Sequence, residues 1–375
     1  MKRVVVEPRV NWRALVEADG LSWHQDGGGK CWNEGTAYLF APDEIERVRC
    51  VSRELHALMM SATSLIISKS WWSRIGIAEK DVSAVIASWE QREPNMHGRF
   101  DFLLDEHGDP RLLEYNAETA LLLVETAAVQ RTWSRHVAPG LEQWNSLHES
   151  LVASWQRSRA NHVHLAWRPR HREVEATVRY MAGIIREAEV QATMMAMHSM
   201  GYHRGDETFV DQAGAAVECC YKLYPWEWMI DEPFSRHLVH SRTRFVEPLW
   251  CLIPASKGML AILWELYPDH PALVPCYDHR EKLGGAFVSK PLFGHEGQNV
   301  EIHSDGAVTA ARAGDYGNER RVYQSLVRSP RYDGRLAQLG VWVVEGEPVA
   351  LGMRESIEPI ICGDSSFVPH AVTHP

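Results

Sequence analysis

The hydrophobic period changes near residue 99, and that change limits what this chain can fold into. Before it, DEIERVRCVSRELHALMMSATSLII sets Ile45, Val48, Val51, Leu55 and Leu58 three and four residues apart, the stripe of an amphipathic helix. Pro42-Asp43 supplies a start for that helix, and EKDVSAVIASWEQ reads as a shorter second one. After the change, RFDFLL and RLLEYN are short strand-like runs around DEHGDP, a turn by its Asp, Gly and Pro content. The spacing therefore predicts a β-hairpin over residues 99–116.

Beyond the hairpin, TALLLVETAAV (Thr119–Val129) and EATVRYMAGIIREAEVQATMMAM read as helices, and AILWELYPDHP as a short helix ended by proline. RPRHREVEAT is loop-rich. AFVSKPLFGHEGQNVEI reads as strand, glycine-containing loop and strand, and GVWVVEGEPVALGMRES as a hairpin turning at Glu345-Gly346. Early helices and late strands give an α+β or mixed α/β class, with antiparallel elements near residues 285–355. A chain of 375 residues exceeds what one compact core usually serves. It is read as one multi-lobed unit over 1–375.

Composition excludes several function classes. A net charge of −10 is wrong for a general nucleic-acid binder, which needs surplus lysine and arginine against phosphate. No window approaches the roughly 18 apolar residues of a membrane span, and the N-terminus lacks the apolar core of a signal peptide. Seven cysteines without a CxxC pair fit reduced thiols, so the expected location is cytoplasmic.

In an extended strand Arg99 and Asp101 face one side, as do Glu114 and Asn116 on the second strand. Close pairing would gather two carboxylates and a carboxamide, the hard oxygen donors Mg²⁺ prefers, with Arg99 beside them to meet an anion. An ordinary strand face with paired charges gives the same spacing. Lys290 closes an apolar strand before Gly294 and Gly297, where it could meet phosphates or simply be solvated. Lys257 precedes a helix, a place that disfavours a cation unless an anion shares it. Arg354 is either an anion clamp or a surface charge. Glu173 and Glu175 lie at a loop-to-helix junction, as caps or as partners of a cationic amine. DGGGK (Asp26–Lys30) reads as a flexible loop. His162 and His164 alternate on a strand-like run without a third ligand at zinc spacing.

Six segments come in one order: GRFDFLLDEHGDPRLLEYNAET, KLYPWEWM, EPLWCLIPASKGMLAILWELYP, FVSKPLFGHEGQNV, YQSL and GMRES. Together they resemble the glutathionylspermidine synthase family, from about residue 10 to 360, and within it the synthetase-only members that lack the N-terminal amidase domain. The resemblance implies an ATP-grasp fold, with a metal-binding hairpin region near 96–130 and a C-terminal ATP-binding lobe near 276–360. It implies an ATP- and Mg²⁺-dependent ligase joining a small-molecule or peptide carboxylate, such as a glutathione-like peptide, to an amine such as a polyamine. The alternative is a family member that binds or hydrolyses ATP without ligating. The oligomeric state stays open.

By the same resemblance, Arg99 would stabilise transition-state charge, and Asp101, Glu114 and Asn116 would hold Mg²⁺. Arg99, Phe100, Asp101, Lys257, Lys290, Gly297, Gln324, Ser325, Leu326, Val327, Gln338 and Arg354 would meet ATP. Arg99, Thr119, Glu173, Glu175 and Arg354 would meet the acid or the amine. The segment after EYNA departs from the family's serine-rich form, with Thr119 and Leu121 in place of serines. KLYPWEWM carries an aromatic run where bifunctional members are more polar.

Overall fold

The computed structural model describes residues 1–26, 29–169, 171–317 and 320–374. Two five-stranded antiparallel sheets frame the molecule. In the first, the strands run in the order Ser366–Val368, Glu347–Ser356, Leu336–Val344, His97–Leu104, Pro110–Asn116. In the second the order is Cys276–Tyr277, Arg321–Ser325, Phe287–Pro291, Glu301–Ser304, Ala307–Ala311. A parallel four-stranded sheet, Arg244–Val246, Cys219–Leu223, His162–Trp167 and Gln191–Ala196, forms a third body. Near the two ends of the chain, Lys2–Val5 and His370–Val372 pair with opposite edges of Thr36–Phe40.

Both hairpins read from sequence are present, as are the helices Pro42–Lys69, Glu79–Glu90 and Gly258–Leu266. The long helix begins with proline in its first turn, and its Glu44 carboxylate accepts the Ala41 amide at 2.8 Å. That bond satisfies a donor the helix itself leaves unpaired. Its buried face is Ile45, Val48, Ser52, Leu55, Met59, Ala62, Thr63 and Ile66. Val51 and Leu58, expected in that stripe, are only partly covered, because the buried stripe runs through Ser52 and Met59 instead.

Two helical readings change. The segment expected as one helix from Glu175 ends its helix at Glu187 and re-enters as the strand Gln191–Ala196. Pairing beside His162–Trp167 there outweighs the helix preference of Ala, Met and Gln. The helix expected from Thr119 begins at residue 123. Thr119 and Leu122 hold φ of 48° and 74°, a left-handed backbone that a helix cannot use. The chain then widens into a π turn over Glu125–Val129 and continues as the helix Gln130–Val137. Of DGGGK, Gln25–Asp26 pairs with Gly29–Lys30, and Gly27 and Gly28 lie outside the described residues. Among the described residues, no single helix is long and apolar enough to cross a membrane.

The two antiparallel sheets are tied across their facing surfaces. Lys290 Nζ donates to the Leu113 carbonyl at 3.0 Å, and Gln324 Nε2 to the Leu112 carbonyl at 2.9 Å. Between the sheets lies an open cleft.

Candidate active site

Strand alternation places the first group of side chains. Phe100 and Phe102 are fully buried, and Phe100 stacks on Tyr115 with centroids 4.1 Å apart. Arg99 and Asp101 therefore take the opposite face. The register pairs Arg99 with Asn116 and Asp101 with Glu114, so all four share that face. A bulge after Asp101 leaves Leu113 out of the ladder, and its carbonyl is the one Lys290 takes. On the next strand Gly340 lies opposite Asp101. A Cβ there would lie 3.0 Å from Arg99 Cδ, so the absent side chain makes room for the guanidinium.

Four cations converge on these oxygens. Arg99 holds Asp101 through both oxygens, at 2.6 and 2.9 Å, and donates to the Leu121 carbonyl at 2.6 Å. Arg354 lies 3.6 Å from Asp101. Lys257 contacts Glu114 at 3.2 Å and the Gly294 carbonyl at 2.9 Å. Lys290 donates to Gln324 Oε1 at 2.8 Å. Burial pushes the Glu114 carboxyl up, but Lys257, Lys290 and Arg99 overcome it and hold the group at about 2. Burial lowers Lys290, with Glu114 pulling the other way and Lys257 adding to the fall. Burial and then Arg99 lower Arg354. This concentrates positive charge in the cleft, a field that favours an anion.

Carboxylates also line the cleft, within reach of Arg99 and Arg354. Glu125, in the π turn, is 2% exposed, and its Oε2 has no hydrogen-bond partner. Burial raises it to about 7. Glu173 is raised to about 8, by burial first and then by Glu125 and Glu296. A neighbouring carboxylate raises Glu173 in this way because it disfavours a second negative charge nearby. A cation between them would relieve both.

Most of the residues expected at the site meet here. Arg99, Glu114, Asn116, Thr119, Glu173, Lys257, Lys290, Gly297, Gln324, Ser325, Leu326, Val327, Gln338 and Arg354 all line the cleft. Gln324 spends its amide on Lys290 and the Leu112 carbonyl, so it positions that lysine. Phe100 and Glu175, expected at the site, do not line the cleft. Phe100 points into the core, because its neighbours Arg99 and Asp101 own the cleft face. Glu175 lies on an exposed helix face, where it accepts from Arg179 at 2.6 Å. Two residues along a helix turn a side chain well away from Glu173. Asp101 sits just behind the cleft wall, 1% exposed.

Sequence reasoning passed over Glu125 and the Leu113 carbonyl. Glu125 did leave a signal, as the lone charge inside LLLVETAAV. The bulge left none.

The donor set suits Mg²⁺ by chemistry, since Asp101, Glu114 and Asn116 offer only oxygen ligands and two of them are charged. In this geometry Asp101 is engaged by Arg99 and Glu114 by Lys257, so holding the ion means sharing those oxygens with it. Among the described residues, no group of three or more His, Cys, Asp or Glu is arranged as a metal site.

The family model for the glutathionylspermidine synthase preATP-grasp domain matches residues 3–373. The chain belongs to this family. A Haemophilus influenzae relative, provisionally described as an acid–amine ligase, is 34% identical over 99% of both chains. Trypanothione synthetase of Crithidia fasciculata is 26% identical over 98% of this chain, and the Escherichia coli bifunctional glutathionylspermidine synthetase/amidase 24% over 93%. The chain spans 64% and 61% of those two proteins. A glutathione synthetase-like effector from Globodera pallida shares the fold at a TM-score of 0.58 and 10% identity, covering 97% of this chain and 96% of that one. Of the ordered segments noted in the sequence, those over residues 98–119, 287–300, 323–326 and 352–356 contribute lining residues to the cleft, the helical one adds Lys257, and KLYPWEWM adds none.

Proposed function

We propose that this protein is an ATP- and Mg²⁺-dependent carboxylate–amine ligase working through an acyl phosphate. One observation carries the reading. Arg99, Arg354, Lys257 and Lys290 meet the Asp101–Glu114–Asn116 face in a cleft that also holds Glu125 and Glu173, two carboxyls raised by burial although Arg99 and Arg354 act on both. Anionic phosphates and an acid suit the cations, and an ammonium the two carboxyls.

The chemistry follows from those parts. A carboxylate is a poor acyl donor, because its leaving group would be oxide. Its oxygen attacks the γ-phosphorus of ATP, the bond to the bridging oxygen breaks, and ADP leaves. The amine nitrogen then attacks the acyl carbon and expels phosphate, forming the amide. Negative charge grows on oxygen in both steps, where Arg99 and Arg354 stand ready and Lys257 and Lys290 hold the phosphates. Asp101, Glu114 and Asn116 would hold Mg²⁺, which supplies further neutralisation of phosphate charge. Glu125 and Glu173 bind the amine, and Glu173, with a carboxyl near 8, is matched to take the proton the ammonium must lose. Ser325, Leu326 and Val327 bound the adenine end, and Gly297 the loop over the phosphates.

The names of the relatives support a glutathione-like peptide for the acid and a polyamine for the amine. Leu121 and Leu122 line the cleft beside Thr119, giving the acid an apolar wall where a hydroxyl-rich one would bind more polar groups. The test is isotope transfer. An acid labelled with ¹⁸O in its carboxylate should deliver one label to the released phosphate. Amide formed with unlabelled phosphate would overturn the acyl-phosphate route.

A further inference from the structure

The KLYPWEWM segment has no part in the reaction as described, yet the structure brings it against the loop that covers the phosphates. The short helix Trp226–Met229 stands at the back of that loop. Its Glu227, with a side chain only 12% exposed, meets His295 Nε2 at 2.7 Å. Trp228 Nε1 donates to the Tyr316 hydroxyl at 3.2 Å, and the Tyr316 ring lies 3.6 Å from where a Cβ on Gly294 would sit. His295 is edge-on to both rings, its centroid 6.0 Å from Trp228 and 5.9 Å from Tyr316.

The helix is itself tied to the hairpin. Glu118 accepts the Trp226 amide at 3.0 Å and pairs with Lys222, which also lies 4.2 Å over the Trp226 ring. Glu118 follows Asn116 by two residues. A continuous set of polar contacts therefore runs from the end of the hairpin, through Glu118, Trp226 and Glu227, to His295 in the phosphate loop.

We propose that Glu227 and His295 are positioning residues that hold the Gly294–Gly297 loop in register with Lys257 and Lys290 for the terminal phosphates of the nucleotide. The loop needs such a hold. Its Glu296, Gly297 and Asn299 all have positive φ, at 53°, 71° and 56°, and a backbone in sparsely populated conformations persists only when its surroundings impose it. Glu227 does not line the main cleft, whereas His295 does. Glu227 therefore acts on nucleotide through its partner. The ionised carboxylate of Glu227, largely buried, makes the bond charge-assisted.

This inference rests on the reading of the loop as a phosphate site, and its test separates the two. Affinity for a non-hydrolysable ATP analogue with Mg²⁺ is measured by calorimetry for the wild type, Glu227→Gln, His295→Gln, the double variant, His295→Arg and Lys290→Met. Melting temperatures confirm that each is folded. Lys290→Met should weaken binding; if it does not, the phosphate reading fails. Given that it does, Glu227→Gln and His295→Gln should each weaken binding roughly ten-fold, and the double variant no more than either single. His295→Arg, which can still pair with Glu227, should retain most of the affinity. Amides of residues 291–300 should exchange hydrogen faster in Glu227→Gln than in the wild type. If the two single losses multiply in the double variant, His295 meets phosphate independently and the proposal is wrong. It is equally wrong if Glu227→Gln binds as the wild type does.

Discussion

Arg99 is the point where stability and chemistry meet, and removing it should have an effect that can be worked out in advance. Asp101 is 1% exposed and Arg99 6%, and the two are joined through both carboxylate oxygens. Arg99→Ala leaves a buried carboxylate with Arg354 at 3.6 Å and the Asn116 amide at 3.4 Å. Breaking a buried pair from one side costs about 3–5 kcal/mol. The remaining contacts to Arg354 and Asn116 favour the lower end, about 3 kcal/mol. In a chain of this size that lowers the melting temperature by roughly 5 °C or more. Removing both charges, in Arg99→Ala with Asp101→Ala, takes away the stranded carboxylate and should recover much of the loss. The assay is a melting series of the wild type, both singles and the double, with and without Mg²⁺. Because Arg99→Ala frees both oxygens of Asp101, Mg²⁺ should raise its midpoint more than that of the wild type. A single variant as stable as the wild type would refute the reasoning, as would a double variant that loses the sum of both singles.

Other outcomes follow from the same geometry. Gly340→Ala sets a methyl 3.0 Å from Arg99 Cδ and should slow ADP release by roughly ten- to a hundred-fold, with the fold kept; an unchanged rate would show that the guanidinium has room to spare. Lys290→Met should weaken nucleotide binding by roughly ten-fold or more, read by calorimetry, because it removes a buried charge from the phosphates. Glu173 and Glu125 are raised from 4.5 to about 8 and about 7, so the folded chain binds more protons than the unfolded one between those values. Their contribution to stability therefore falls as pH rises from about 4.5 to 8. Glu173→Gln should flatten that slope in thermal melts at pH 6 and 8, and spermidine should stabilise the wild type more at pH 8 than at pH 6. A Glu173→Gln slope identical to wild type would show that the carboxyl is not strained.

Much of the site was legible because it depends on short-range rules. Alternation on a strand predicts that Arg99 with Asp101, and Glu114 with Asn116, share faces, and the hairpin turn fixes how they meet. The same rule, applied to Phe100, places it in the core. Helical rotation likewise separates Glu175 from Glu173. What sequence could not reveal depends on distant partners. Gln191–Ala196 is built from helix formers and becomes a strand only because His162–Trp167 offers it an edge. The Leu113 carbonyl reaches Lys290 only through a bulge, and Glu125 becomes a ligand candidate only once the π turn aims it at the cleft. Glu227 and His295 are 68 residues apart, and nothing local announces that they touch.

Ligation is tested most directly by the stoichiometry of the reaction products. The purified protein is given ATP and Mg²⁺ with panels of peptide acids and polyamines, each alone and in combination, and ADP, phosphate and products are quantified by mass detection. ADP, phosphate and a new amide should appear in equal amounts, and the amide only where acid and amine are both present. ADP and phosphate released with no amide from any acid–amine combination would contradict ligation.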